Sequence, residues 1–108
     1  MVALLFARAG LAQDSRSAED LGTRSVQGVV KDASGNSVAN AIVLLKDTKT
    51  LQIRSFKTGP GGSYHFAGLS PNVEYQLKAN YQRDTSRWKT LSVFNSKKVA
   101  TIDLKLKK

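Results

Sequence analysis

From Arg24 onward, apolar and polar residues alternate in short runs broken by turn residues. Successive side chains of a strand point to opposite faces, so this pattern predicts strands. In the first run Val26, Gly28 and Val30 alternate with Gln27, Val29 and Lys31, and the run ends at Asp32. The stretch Asp32-Ala33-Ser34-Gly35-Asn36-Ser37 is dense in residues that tolerate positive φ or bond to their own backbone, which predicts a tight reversal. Ala41-Ile42-Val43-Leu44-Leu45 is apolar on both parities, as in a strand central to a core. With Ala41, Val43 and Leu45 inward, Ile42 and Leu44 face out and offer a seat for the preceding linker or a partner. Residues 53–58 read as a third strand. Gly59-Pro60-Gly61-Gly62 then turns the chain into Ser63-Tyr64-His65-Phe66, a fourth. After a turn at Leu69-Ser70-Pro71-Asn72, the residues Tyr75, Leu77, Ala79 and Tyr81 alternate with Gln76, Lys78 and Asn80. Residues 88–94 give a sixth run, and Ile102, Leu104 and Leu106 against Thr101, Asp103, Lys105 and Lys107 a seventh. No segment carries a comparable apolar stripe at helical spacing. The expectation is an all-β, seven-stranded antiparallel Greek-key β-sandwich over residues 24–107, its two sheets sharing one core.

The first 23 residues follow a different pattern. Val2-Ala3-Leu4-Leu5-Phe6-Ala7 is apolar, and Gly10-Leu11-Ala12 places small residues three and one positions before a cut ahead of Gln13. This predicts the end of a truncated signal peptide at 1–12, since no basic region precedes the run and Arg8 interrupts it. Residues 13–23 are polar and aperiodic, a flexible linker. The domain is thus expected in the secreted, periplasmic or cell-envelope space, soluble once the leader is removed, because no other stretch approaches the ~18 apolar residues of a membrane span. A chain of 108 residues fits one such domain, with a monomer as the default state.

Composition narrows the chemistry. There is no cysteine, which removes disulfides, thiolate zinc sites and thiol nucleophiles. Lys and Arg number 17 against 8 acids, and residues 76–108 hold nine of these cations and two acids. Such a bias attracts acidic partners through a long-range, salt-sensitive field, whether nucleic acid, anionic headgroups or acidic polysaccharide. The expected partner is a protein or an acidic or saccharide ligand, with nucleic acid the less favoured case.

The order Gly28-Val29-Val30-Lys31-Asp32, Gly35, Val38, Ala41, Val43, then Thr58, Gly62, Tyr64, Phe66, Leu69, Pro71 and Tyr75 resembles the carboxypeptidase regulatory-like domain over residues 24–107. The Thr…Gly-x-Tyr-x-Phe-x-x-Leu-x-Pro stretch, from Thr58 to Pro71, ties a turn, an aromatic strand and a second turn at fixed spacing. Two positions depart from the family pattern: Ser37 stands where Pro is frequent, and Asn40 where Gly is frequent. The resemblance implies a transthyretin-like sandwich and a non-catalytic accessory module, of the kind carried by secreted peptidases, outer-membrane receptors and bacterial exported proteins. By analogy with starch-binding and adhesin modules, it also permits sugar binding. Related adhesin modules carry an isopeptide-forming lysine two residues before the Asp that closes the first strand. Here that position is Val30, while Lys31 has the outward parity.

Candidate sites are few. His65 is the single histidine and lies between Tyr64 and Phe66, so it should face outward without the base-and-orienter pair that acid–base chemistry needs. No catalytic residue, cofactor or metal is therefore expected. Asp32, Ser34 and Asn36 have the spacing of calcium-loop oxygens but lack its closing Glu, and a plain Asx turn is expected there. The remaining cluster is Tyr81, Arg83, Arg87, Trp88 and Lys89, where aromatic faces could stack on a sugar and cations could pair with anionic substituents. With Lys78, Lys97 and Lys98 these cations form the expected contact face. Trp88 is weighed between a sugar platform and a cap on the core, and its apolar bulk favours the cap.

Overall fold

A computed structural model describes residues 22–107. The expected leader, and the linker up to residue 21, lie outside them. Nine strands follow in order: β1 (Arg24–Lys31), β2 (Ile42–Asp47), β3 (Ile53–Lys57), β4 (Ser63–Leu69), β5 (Tyr75–Tyr81), β6 (Asp84–Ser86), β7 (Lys89–Leu91), β8 (Val99–Thr101) and β9 (Leu104–Lys107). Strand order is β3-β2-β5-β6-β9-β1-β4, with β7 also on β5 and β8 also on β1. One layer is therefore β3-β2-β5 with β6 and β7, and the other is β4-β1 with β8 and β9. The β6–β9 pair joins them along one side.

The class matches the expectation, while two details differ. The pairings of β1 with β8 and β9 are parallel, so the sandwich is not wholly antiparallel. The seventh run is divided in two, and β6 precedes the sixth run as a strand that the alternation did not predict, which makes nine strands of seven. Between Leu77↔Lys89 and Asn80↔Thr85, three steps along β5 face four on its partner, the signature of a β-bulge. The Ser86 hydroxyl accepts the Ala79 amide at 2.8 Å and donates to its neighbour Arg87 O at 3.0 Å, holding the extra residue in place. The seventh run breaks at residues 102 and 103. There Asp103 Oδ1, in place of a backbone carbonyl, accepts the Val29 amide at 3.0 Å.

The inward parity of each strand builds the core. Val26 and Val30 of β1 meet Tyr64 and Phe66 of β4, Val43 and Leu45 of β2, Leu77 and Ala79 of β5, Leu91 of β7, and Leu104 and Leu106 of β9. Opposite the closed β6–β9 side, the edge strands β3 and β4 leave a seam. Arg54 spans it, its Nη1 donating to Ala67 O at 3.3 Å and its guanidinium lying 5.5 Å from the Phe66 ring centre. Phe56 meets Phe66 edge-on at 6.0 Å.

Backbone requirements explain several residue choices. Asn40 has φ 64°, a left-handed conformation that Gly and Asn adopt at least cost, so Asn meets the same need as the family's Gly. Thr58 fastens this corner from beneath. It is buried, its hydroxyl donates to Val38 O at 2.7 Å, and the Ala41 amide donates to that hydroxyl at 2.9 Å.

Candidate functional site

The exposed face of the β3-β2-β5 layer is set by register. Ile42 lies opposite Lys57 and Asn80, Leu44 opposite Ser55 and Lys78, and Lys46 opposite Ile53 and Gln76. None of these outward positions holds an acid, and three hold lysine. Ile42 and Ile53 are exposed and Leu44 is half-buried, as the outward parity of β2 implied.

Trp88 completes this face. It stands within the bulge between β6 and β7, and the core position of that run is Leu91, three residues on and of opposite parity. Trp88 is therefore turned outward, 42% exposed, and does not cap the core; bulk was the wrong guide and strand parity the right one. Lys78 Nζ lies 5.5 Å and Lys46 Nζ 5.8 Å from the centre of its ring. Two ammonium groups thus share one aromatic ring, a cation–π arrangement that leaves both able to turn toward an anion.

The other expected contact residues are dispersed. Tyr81 has inward parity and packs against the core, lining a groove of about 330 Å³ with Asp32, Ser34, Val38 and Asp84. It therefore shares no face with Trp88. Arg83 is exposed in the two-residue β5–β6 turn, where Gln82 takes φ 55°. Arg87 and Lys89 are exposed on either side of Trp88. Lys97 and Lys98 are exposed in the β7–β8 loop at the Tyr75 end of β5, separated from Arg83 by the length of that strand, roughly 20 Å. Lys46, which sequence reasoning did not single out, belongs to the cluster. Its outward parity beside Leu44 was the available signal.

His65 is exposed on the outer face of β4, as expected. It lines a groove of about 370 Å³ with Ser63, Asp103, Gln27, Thr101 and Phe56. Ser63, His65 and Asp103 are not hydrogen-bonded to one another; the Asp103 carboxylate is held by the Val29 amide. The groove thus lacks the nucleophile–base contact of acyl transfer. Beneath it, the Tyr64 hydroxyl donates to Ile102 O. Burial pushes the Tyr64 phenol well above its ordinary range, and the charge of Asp103 adds to the shift.

The 32–37 reversal is an Asx turn. Asp32 Oδ1 accepts the amides of Ser34 and Asn36, each at 2.9 Å, and these bonds, that of Asn36 foremost, hold its carboxyl below the ordinary range. Asp47 caps the β2–β3 turn likewise, accepting the amides of Lys49 at 2.8 Å and Thr50 at 3.0 Å. Among the described residues no cluster of His, Asp and Glu is placed to hold a metal ion, and no helix is long and apolar enough to cross a membrane.

The fold is that of a transthyretin-like β-sandwich module. Residues 25–107 match the family profile of the carboxypeptidase regulatory-like domain, and the chain belongs to that family. No curated protein sequence matches it. Among solved structures, the major pilin subunit BcpA of Bacillus cereus is similar at TM-score 0.63 and 11% identity, over 81% of this chain and 30% of the pilin. The dioxygenase domain of a dioxygenase–carbohydrate-binding fusion from Streptomyces sp. SirexAA-E is similar at TM-score 0.55 and 15% identity, over 79% of each chain. The shaft pilin SpaA of Lactobacillus rhamnosus GG is similar at TM-score 0.51 and 12% identity, over 80% of this chain and 47% of the pilin. At these identities the likeness is one of fold. The regulatory-like family fits a non-catalytic structural module.

Proposed function

We propose that the chain is an exported, non-catalytic interaction module that binds an acidic partner on the outer face of β2 and β5, through Trp88, Lys46 and Lys78. The observation that carries this reading is the pair of lysine ammonium groups gathered on one exposed tryptophan, on a face whose outward positions include no acid. Arg87 and Lys89 extend the cationic surface beside the ring. The apolar run at residues 2–7 supports export, and a fold shared with pilins supports a place in the cell envelope. The exposed His65, without a bonded base or nucleophile, supports the absence of catalysis.

Trp88 is the single tryptophan, so its emission reports directly on the face. Titration with a soluble polyanion should change that emission with an affinity that falls as salt rises, and Lys46→Glu with Lys78→Glu should abolish the response. A response indifferent to salt and to both substitutions refutes the proposal. A second reading, a saccharide platform, is favoured by the exposure of the Trp88 ring. It requires glycan binding that Trp88→Ala removes; glycan binding that survives this change, or none in the wild type, eliminates it.

A further inference from the structure

At the end of the sandwich where β7 leads to β8, the loop between them presents an apolar tip among cations. Phe94 is 91% exposed, Val93 40% and Val99, at the start of β8, 49%, while Lys97 and Lys98 are exposed beside them. Residues 88–94 read as one strand in sequence, but β7 stops at Leu91 and the remainder forms this loop.

The exposure of Phe94 is built in. The Ser92 hydroxyl accepts the Phe94 amide at 3.0 Å, and the Asn95 amide returns to Ser92 O at 3.1 Å. Asn95 Oδ1 accepts the Lys97 amide at 3.0 Å, and Lys98 O accepts the Ser25 amide at 2.8 Å. From below, the Arg24 guanidinium, 5% exposed, donates Nη1 to Ser92 O at 2.9 Å and to Asn95 O at 3.3 Å. Its Nε and Nη2 donate to Ser70 O at 3.2 Å and Val73 O at 2.8 Å, so the same group fixes the adjoining turn. All four acceptors are neutral carbonyls, so the Arg24 charge is not cancelled by its partners and adds to that of the two lysines. No acid occurs between Thr85 and Ile102, and the adjoining turn contributes Glu74 alone.

An exposed tip of aromatic and branched side chains with two exposed lysines beside it matches the surface of an anionic bilayer. The apolar tip reaches the headgroup–acyl boundary while the lysines remain among phosphates. A protein pocket would meet the same Phe94, but Lys97 and Lys98 beside it, with no acid between Thr85 and Ile102, suit a continuous anionic surface better than a cleft. From Phe94, Lys97, Lys98 and the Arg24-braced turn beneath them, we infer that this loop docks the domain onto anionic lipid membranes. The inference is independent of the Trp88 face, which lies in the bulge beyond Leu91.

The test is co-sedimentation of the protein with vesicles of phosphatidylcholine alone or with added phosphatidylglycerol. Binding is expected only to the anionic vesicles and should weaken as salt rises. Phe94→Ser should lower the partition coefficient about tenfold or more, from the loss of one buried aromatic side chain. Lys97→Glu with Lys98→Glu should reduce it further still. A Phe94→Trp reporter in a Trp88→Phe background should shift its emission to the blue on these vesicles and be quenched by brominated acyl chains. The changes are at exposed side chains, and an unaltered thermal melt verifies folding. No sedimentation with anionic vesicles, undiminished sedimentation of Phe94→Ser, or a reporter indifferent to vesicles would each overturn the inference.

Discussion

Replacing Gly28 by alanine puts a methyl group where the chain has already placed a carbonyl. A Cβ at this position would lie 1.9 Å from Ile102 O, 2.7 Å from Ile102 C and 2.9 Å from Tyr64 Cε2. An ordinary carbon–oxygen contact is about 3.3 Å or more, so the 102 carbonyl must retreat by roughly 1.4 Å. That carbonyl accepts from the Tyr64 hydroxyl, and the Ile102 amide donates to Gln27 O at 2.8 Å. The neighbouring Asp103–Val29 bond is carried along. Overpacking of this kind costs about 1–3 kcal/mol, and each of the three bonds put at risk is worth about 1 kcal/mol net. With two of these three bonds lost, the expected cost is about 3–5 kcal/mol, a large part of the ~5–15 kcal/mol that stabilises a typical domain. Urea unfolding followed by far-UV circular dichroism should show the midpoint falling by roughly 2–3 M for a slope near 1.5 kcal/mol/M. Gly61→Ala is the control, since nothing lies within 4 Å of its added Cβ and its φ is ordinary. A Gly28→Ala protein within about 1 kcal/mol of wild type would refute the reasoning, because the contact between Gly28 and the Ile102 carbonyl would then not be as close as described.

Two further changes probe the backbone and the buried phenol. At Asn40, with φ 64°, Gly should be tolerated within about 0.5 kcal/mol, whereas Val should cost about 1–2 kcal/mol in the same unfolding assay. Tyr64 has its folded pKa raised above the ordinary 10.0, so its contribution to stability is complete below that pH and is lost as pH climbs above it. Tyr64→Phe should cost about 1 kcal/mol at neutral pH, and the stability gap between variant and wild type should narrow above pH 10.0. A gap constant across the alkaline limb contradicts the assignment.

What the sequence made legible depends on whether a side chain or a backbone bond decides the outcome. The strands around Val26, Tyr64 and Leu77 were readable because each alternates over enough residues for parity to separate core from solvent, and the one around Val43 because it is an unbroken apolar run. β6 was not, since Asp84-Thr85-Ser86 offers one inward residue, a serine that bonds the Ala79 amide. Its turn uses Gln82 at positive φ, without the Gly or Asn that marks such turns. The site divided similarly. Lys78 and Trp88 were identified and do meet, but Tyr81 was grouped with them by proximity in sequence, although it sits on the inward parity. Phe94 was assigned to a strand because nothing in 88–94 announces that Ser92 will end it by accepting the Phe94 amide.

Arg24 shows how the omitted residue can be the one that links fold to surface. It shares parity with Val26 and Val30, so a strand beginning at Arg24 already places it inward, and only the habit of exposing charge argues otherwise. A buried guanidinium requires acceptors in several directions, and a carboxylate would satisfy it while cancelling its charge. This fold supplies four carbonyls instead, drawn from two turns. The turns gain rigidity and the cation keeps its field. Both consequences emerge at the same end of the molecule, where Phe94 is held out into solvent and Lys97 and Lys98 stand beside it, so the brace within the core also prepares the docking surface proposed outside it.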